Sequence, residues 1–468
     1  MAHNKVNYGD ETPIAAFATT PGNSALTLIR CSGKGSIELA ALVFSPSDLK
    51  KALGNTIIHG WIKTDEKIDE VLISVFRAPK SYTGEDSIDI CCHGGPVAGK
   101  AVMDVLKNAG FREALAGEFT FRAFMNGKID LTRCEAVMEL VSAKTETGRC
   151  RAVSRLCGSL EKEINEIKQL LVQVLASAEI YLDYSEDEIS ADTEEIEGKL
   201  PGQDIAAAVL SKLKMLSASW QLERIYQEGV TVVIAGRPNA GKSSLFNSLL
   251  KEDRSIVTEI AGTTRDWIEA WVSIEGIPIR LVDTAGLRET SDAVEIIGVE
   301  RSLKLLQEAE IIIYLIDGKN GLTNEDTDFI NKNNTDVRHI FIWNKCDLAP
   351  LPQQFPVIGI NPICVSAKTG AGFTALYLAI TSAILDQTNT VSLDLSVSAR
   401  LGTLRQKNLV DNACAALEET LALSEQGEPL DIITPLIRDA VNSLGEITGE
   451  VSTADILEEM FSRFCVGK

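Results

Sequence analysis

Gly236-Arg237-Pro238-Asn239-Ala240-Gly241-Lys242-Ser243 follows the apolar run Val230 to Ala235 and precedes a helical pattern, the setting in which G-x-x-x-x-G-K-S forms a phosphate-binding loop. Glycines let backbone N–H groups converge on phosphate oxygens. Lys242 reaches the β and γ oxygens, and Ser243 is placed to ligate Mg²⁺. This one stretch predicts a P-loop α/β domain.

Working outward, Asp283-Thr284-Ala285-Gly286 closes the strand-like run Ile279 to Asp283. An acid at a strand end beside a P-loop orders Mg²⁺ through water, and Gly286 can present its N–H to a γ-phosphate. Asn344-Lys345-Cys346-Asp347 closes another such run, His339 to Trp343. The Asp347 carboxylate can accept from both N1–H and N2–H₂ of guanine, a pair of donors that adenine lacks, so the pattern selects GTP over ATP. Ser366-Ala367-Lys368 follows Ile363 to Ser366 and completes the base pocket. Four elements in this order, each at a strand end, define a guanine-nucleotide site. The loop Thr258 to Asp266 falls where a GTPase carries switch I, and a threonine hydroxyl there can complete the Mg²⁺ shell. Position 287 is Leu, where GTPases of the Ras type place the Gln that orients the attacking water, so another polar group must serve here.

Strand-like runs at Val230 to Ala235, Ile279 to Asp283, Glu310 to Asp317, His339 to Trp343 and Ile363 to Ser366 alternate with stretches long enough for helices, which predicts a parallel sheet covered on both faces. Before it, residues 1–125 mix short β-rich runs (Ala25 to Arg30, Val71 to Phe76, Ser87 to Cys91) with Gly and Pro turns, the signature of a small α+β domain. From Leu131 to Tyr184 the spacing becomes helical, with Leu156, Leu160, Ile164, Ile167, Leu171, Val174, Leu175 and Ala178 on one face. The acidic run Ser185 to Glu197 reads as a solvated loop or helix edge. After about Thr388 helical spacing returns, at Leu409 to Thr420, Ile432 to Leu444 and Ala454 to Phe464. The expected organisation is an α+β domain (1–125), a helical domain in two parts (126–224 and 387–468), and a Ras-like G domain with a mostly parallel sheet (225–386) inserted between them.

Composition narrows the functional classes. The chain has 468 residues, 45% hydrophobic, a net charge of −21 and ten cysteines. Its longest apolar stretches fall far short of the ~20 residues a membrane span requires, and the N-terminus lacks an apolar signal core, so a cytoplasmic protein with reduced thiols is expected. No paired C-x-x-C set suggests structural zinc. A field of this sign repels nucleic-acid phosphate unless a basic patch or a partner intervenes.

With these residues in view, the whole chain resembles the MnmE (TrmE) family of tRNA-modification GTPases. The resemblance rests on Gly236 to Ser244, Gly262-Thr263-Thr264-Arg265-Asp266, Asp283 to Arg288, Gly445-Glu446-Ile447-Thr448-Gly449-Glu450 and the terminal Phe464-Cys465-Val466-Gly467-Lys468. In the first domain it rests on Tyr82-Thr83-Gly84-Glu85-Asp86 and His93-Gly94-Gly95-Pro96. It implies a homodimer that works with an FAD-containing partner, MnmG, in a heterotetramer or larger complex. Together they place an aminomethyl or carboxymethylaminomethyl group at C5 of the wobble uridine of certain tRNAs. A tetrahydrofolate derivative, 5-formyl or 5,10-methylene, supplies the carbon, and the two G domains meet when GTP and K⁺ are bound.

Carried over by motif, Asn239, Thr258, Ile260 and Thr263 form the K⁺ site and Ser243 and Thr264 hold Mg²⁺. Asn239, Ala240, Gly241, Lys242, Ser243, Ser244, Thr258, Thr263, Thr264, Asp283, Thr284, Ala285, Gly286, Asn344, Lys345, Asp347, Ser366, Ala367 and Lys368 bind GTP. Glu295, with Thr264 and Gly286, serves catalysis by helping to place the attacking water, the office Leu287 cannot fill. Arg30, Asp89, Lys128 and Lys468 are the implied folate residues, Asp89 standing where the family commonly has the longer Glu. Cys465 reads either as a reactive or positioning thiol or as a small apolar packing residue.

Two other classes compete. A ribosome-assembly GTPase would share the G domain but usually carries a basic RNA-binding module, whereas the cluster Arg149, Arg151, Arg155 sits amid acidic helices. A one-carbon transferase acting alone would leave the GTPase core unexplained.

Overall fold

The computed structural model describes the whole chain except residues 1–7, 9, 21, 46–48, 184–199, 253–267, 284–308, 334–338, 353–354, 356, 358–359, 387–398, 452–453 and 468. These described residues form two compact units, one drawn from 1–138, 161–193 and 429–468 and the other from 139–160 and 194–428.

In the first unit, β1 (Ile14–Phe17), β2 (Leu26–Ser32), β3 (Phe44–Ser45), β4 (Thr56–Lys63), β5 (Lys67–Phe76), β6 (Ser87–His93) and β7 (Arg112–Glu113) make a sheet of order β3-β4-β5-β6-β2-β1-β7. Every pairing is antiparallel except β1 with β7. The strands alternate: Val71, Ile73 and Val75 are buried while Leu72 between them is exposed. One face therefore packs Ile29, Ile73, Ile88 and Ile90 against Val102 and Leu106 of the helix Pro96–Ala109. β4 alternates as well, with Ile58, Gly60 and Ile62 turned inward and Ile57 and His59 exposed, and a Cβ on Gly60 would come within 2.4 Å of the Phe44 ring.

The helix Ser159–Asp183 buries Leu160, Ile164, Ile167, Leu171, Val174 and Ala178, the stripe expected from spacing. Leu156 does not belong to it. The pattern is cut at Cys157-Gly158, where Gly158 takes φ +89°, and Leu156 instead ends the helix Glu146–Leu156. A left-handed residue stops a helix even when apolar spacing runs on through it.

In the second unit, β8 (Val230–Gly236), β9 (Ile268–Ile274), β10 (Ile277–Asp283), β11 (Ile311–Asp317), β12 (His339–Asn344) and β13 (Ile363–Val365) form a sheet of order β13-β12-β11-β8-β10-β9. All neighbours are parallel except β9, which hairpins onto β10 through Glu275 (φ +51°) and Gly276 (φ +80°). Two positive-φ residues in a two-residue loop match the twist of the strands they join. Leu245 and Leu249 of the helix Lys242–Glu252, with Phe373, Leu376 and Ile380 of the helix Phe373–Asp386, cover one face. Ile330 of the helix Asn324–Asn333 packs with Val233, Ile312 and Ile316 on the other. Parallel strands covered on both faces are apolar throughout, which is why they were legible. Strand order reverses on the two sides of β8, and in open α/β sheets ligands bind outside the carboxyl ends of strands at such a point.

Candidate functional site

That crevice is built from the ends of β8, β10, β11, β12 and β13. Gly236 leaves β8 at φ +140°, and a Cβ there would lie 2.6 Å from the Leu315 carbonyl of β11. Asn239 turns the loop at φ +64° and Gly241 at φ +100°, so Lys242 opens its helix with the N-terminus facing the crevice. Helix N-termini attract anions through unpaired N–H groups and the peptide dipoles. Lys242 is buried, its Nζ donating to the carbonyls of Gly236 (3.0 Å) and Arg237 (2.9 Å). Ser243 Oγ donates to Asp283 Oδ2 at 2.8 Å, joining the two oxygen donors expected to serve Mg²⁺, one directly and one through water. Hard oxygen donors of this kind suit that ion. Ser244 is exposed on the first helical turn.

Asn344 clamps the two halves of the crevice. Its buried side chain donates from Nδ2 to the Ala240 carbonyl (2.7 Å), and its Oδ1 accepts from the Ala367 N–H (3.2 Å). A Cβ on Gly241 would come within 2.3 Å of that Nδ2, so only glycine leaves room for the clamp. Lys345, at φ +63°, sends Nζ to the Asn239 carbonyl (2.8 Å) and to Asp317 Oδ2 (2.9 Å). Burial alone would push the Asp317 carboxyl up, but hydrogen bonds from Lys345 and from backbone N–H groups outweigh it and hold Asp317 below the ordinary value. Asp347 is exposed at the loop end, with Ser366 Oγ donating to its Oδ1 at 2.6 Å. Lys368 is exposed one residue past Ala367, whose carbonyl accepts from Ser248 Oγ at 2.6 Å. Asn239 is exposed on the P-loop, its amide oxygen of the type a monovalent cation takes. Arg237 turns toward Glu325 (3.4 Å) and Asp326 (3.9 Å) on the helix Asn324–Asn333.

In the first unit the structure pairs Arg30 with Asp89 across β2 and β6, Nε to Oδ1 at 3.1 Å. The Arg30 guanidinium also lies 5.8 Å from the Tyr82 ring centroid. Lys128 donates to the Pro79 carbonyl at 2.9 Å and runs its stem past Gly84, so Arg30 and Lys128 both touch the 79–84 loop. Glu85 and Asp86 are engaged within the fold: Glu85 faces buried Arg122 (3.3 Å), and Asp86 faces Arg77 (3.4 Å). Cys465 is exposed, and the two residues after it are anchored: Val466 bridges Ala116, and a Cβ on Gly467 would lie 2.3 Å from the Phe17 carbonyl. The chain end thus lies beside Ala116 and the end of β1, although both are hundreds of residues away in sequence. Thr258, Ile260, Thr263, Thr264, Thr284, Ala285, Gly286, Glu295 and Lys468 lie outside the described residues.

A family model described as the MnmE helical domain matches residues 131–465, and one described as GTP-binding protein TrmE N-terminus matches residues 13–128. The tRNA modification GTPase MnmE of Treponema denticola is 44% identical, with 100% of both chains covered. The chain belongs to the MnmE family. Proteins of the same name from Borrelia recurrentis (42% identical, 98% of each chain) and Carboxydothermus hydrogenoformans (39%, with 98% of this chain and 100% of that one) are similar over the same span.

Asp317 and Ser248 escaped the sequence reading of this MnmE-family chain. Asp317 had a visible signal, an acid ending an apolar strand just as Asp283 does. Ser248 had none, because its acceptor Ala367 lies 119 residues away.

Proposed function

We propose that the chain is a K⁺-dependent GTPase that works as a homodimer with the FAD-containing MnmG, in a heterotetramer or larger complex in the cytoplasm. Its product is an aminomethyl or carboxymethylaminomethyl group at C5 of the wobble uridine of certain tRNAs, built with a one-carbon unit from 5-formyl- or 5,10-methylene-tetrahydrofolate. The work is divided among a folate-binding and dimerising domain (1–125), a helical domain (126–224 and 387–468) and a G domain (225–386). No described helix is long and apolar enough to cross a membrane.

The observation that supports the nucleotide half most strongly is the Asn344 clamp, which holds the P-loop, the Asn344 to Asp347 loop and the Ser366 to Lys368 loop in one geometry. In that geometry Lys242 exchanges two carbonyls for β and γ phosphate oxygens. Ser243 and Thr264 would hold Mg²⁺, and Thr284, Ala285 and Gly286 would serve the γ-phosphate. Asp347 takes the guanine edge between Lys345 and Ala367. Glu295 places the attacking water. Asn239, Thr258, Ile260 and Thr263 would hold K⁺, which when bound offsets charge developing on the phosphates, the service an arginine finger gives elsewhere. Arg237, turned to Glu325 and Asp326, does not supply that charge.

Full-length membership of the MnmE family supports the tRNA half. Arg30 and Lys128, near one loop, and Lys468 are cations suited to a folate's carboxylate tail or pterin edge. The pairing of Asp89 with Arg30 suggests that Asp89 orients that guanidinium.

The test is the nucleoside content of tRNA from a strain deleted for this gene. Loss of the C5-substituted wobble uridine, restored by the wild-type gene and not by Asp347→Asn, is expected. Unaltered nucleosides with disturbed ribosomal subunits would favour the ribosome-assembly reading.

A further inference from the structure

The helix Gln203–Glu228 runs into β8 through Gly229 alone, and β8 ends at the P-loop. A Cβ on Gly229 would meet the Pro278 carbonyl at 2.6 Å and Trp271 at 2.7 Å, so the junction is tightly packed against the β9–β10 hairpin. Six residues before Gly229 stands Glu223, with no exposed surface, accepting from Arg155 (2.9 Å), from Arg400 (3.2 Å) and from Arg151. Arg151 also lies over the Tyr226 ring of the same helix at 3.8 Å. Arg155, itself almost fully buried, spans from Glu223 to Glu139 Oε2 (2.7 Å from Nε), and Glu139 belongs to the helix Leu131–Ser142. Gly402 closes the cluster, since a Cβ there would lie 2.0 Å from Glu139 Oε1.

Of these three guanidiniums and two carboxylates, Glu223 and Arg155 are buried, while Glu139, Arg151 and Arg400 around them are half-buried. Buried pairs of this kind add little net stability over apolar packing but fix one arrangement strictly, because moving any member leaves a charge unpaired. The arrangement links three helices in series: Gln203–Glu228, Glu146–Leu156 and Leu131–Ser142. The last begins three residues after Lys128.

We infer that Glu223, Arg155 and Glu139 are positioning residues that relay the state of the nucleotide site to the helix Leu131–Ser142. The inference rests on the proposed GTPase cycle. A shift of β8 drags Glu223, Glu223 carries Arg155 and its helix, and Arg155 carries Glu139.

Spatial continuity alone does not establish coupling, so the test must measure it. Hydrogen–deuterium exchange with mass spectrometry on the full-length protein, in K⁺ and Mg²⁺ with GDP or with GDP–aluminium fluoride, reads each helix separately. In the wild type all three helices should change protection between the two states. Glu139→Gln should abolish the change in Leu131–Ser142 only. Glu223→Gln should abolish it in Glu146–Leu156 and Leu131–Ser142 and leave it in Gln203–Glu228. GTP turnover should stay within about twofold of wild type in both, since neither residue touches the nucleotide.

Wild-type patterns in Glu223→Gln overturn the relay, as does a wild type whose Leu131–Ser142 exchange ignores the nucleotide. Loss of the change in all three helices in either variant also overturns it, since that marks a merely structural role. Should Glu223→Gln fail to fold, Glu139→Gln, which keeps Arg155 paired, decides by the same readout. A wild type without GTPase activity counts against the proposed function instead.

Discussion

Asp347 presents an exposed carboxylate whose Oδ1 already accepts from Ser366 Oγ at 2.6 Å, so the group is fixed before any base arrives. Asp347→Asn exchanges an acceptor oxygen for a donor. Affinity should move from GTP toward XTP, whose C2 carries a carbonyl, and competition binding checks this; a variant still preferring GTP contradicts the assignment. Glu295→Ala should leave GTP affinity nearly intact and slow hydrolysis on the order of 10²-fold or more, the usual loss when a group that acts on the attacking water is removed. Single-turnover rates decide, and an unchanged rate returns Glu295 to a solvated surface acid. At this scale the P-loop was legible because phosphate binding demands glycines and a lysine at fixed spacing. Asn344 was read as a base-pocket residue, yet its bond to Ala240, 104 residues away, could not be read from either stretch alone.

Glu118, without exposed surface on the helix Glu118–Met125, receives Arg112 (2.5 Å), Arg122 (2.9 Å) and the Leu115 N–H (2.8 Å). Glu118→Ala would leave Arg122 to Glu85 and Arg112 to Asp10, so the loss should stay below the roughly 3–5 kcal/mol that a buried charge left wholly unpaired costs. Denaturant unfolding followed by circular dichroism should show the earliest transition moving to lower denaturant; an unmoved curve contradicts it. Elements were legible where burial on both sides makes a continuous apolar run, as in β8, β10, β11 and β12. They were obscure where a strand is short or lies at an edge: β3 and β7 span two residues each, and β9 is the edge strand beside β10 among the described residues. The split between Glu146–Leu156 and Ser159–Asp183 was missed because apolar spacing continues through Gly158, and only its φ of +89° shows the break.

In the proposed dimer, hydrolysis should bring the two G domains together and apart, and the proposed folate-dependent reaction should feel that motion at a distance. Paired spin labels on the exposed face of the helix Phe373–Asp386, for example at Leu378, should approach one another with K⁺, Mg²⁺ and GDP–aluminium fluoride and separate with GDP. An invariant distance rejects closure while leaving the nucleotide site in place. The family was legible for the whole molecule because motifs at both ends and in the middle agree, whereas the seating of Val466 and Gly467 on Ala116 and Phe17 needed coordinates. The most direct test of the account is the initial rate of GTP hydrolysis by the purified chain in K⁺ and in Na⁺ at equal ionic strength. A rate strongly depressed in Na⁺ is predicted, and equal rates in the two salts would contradict it.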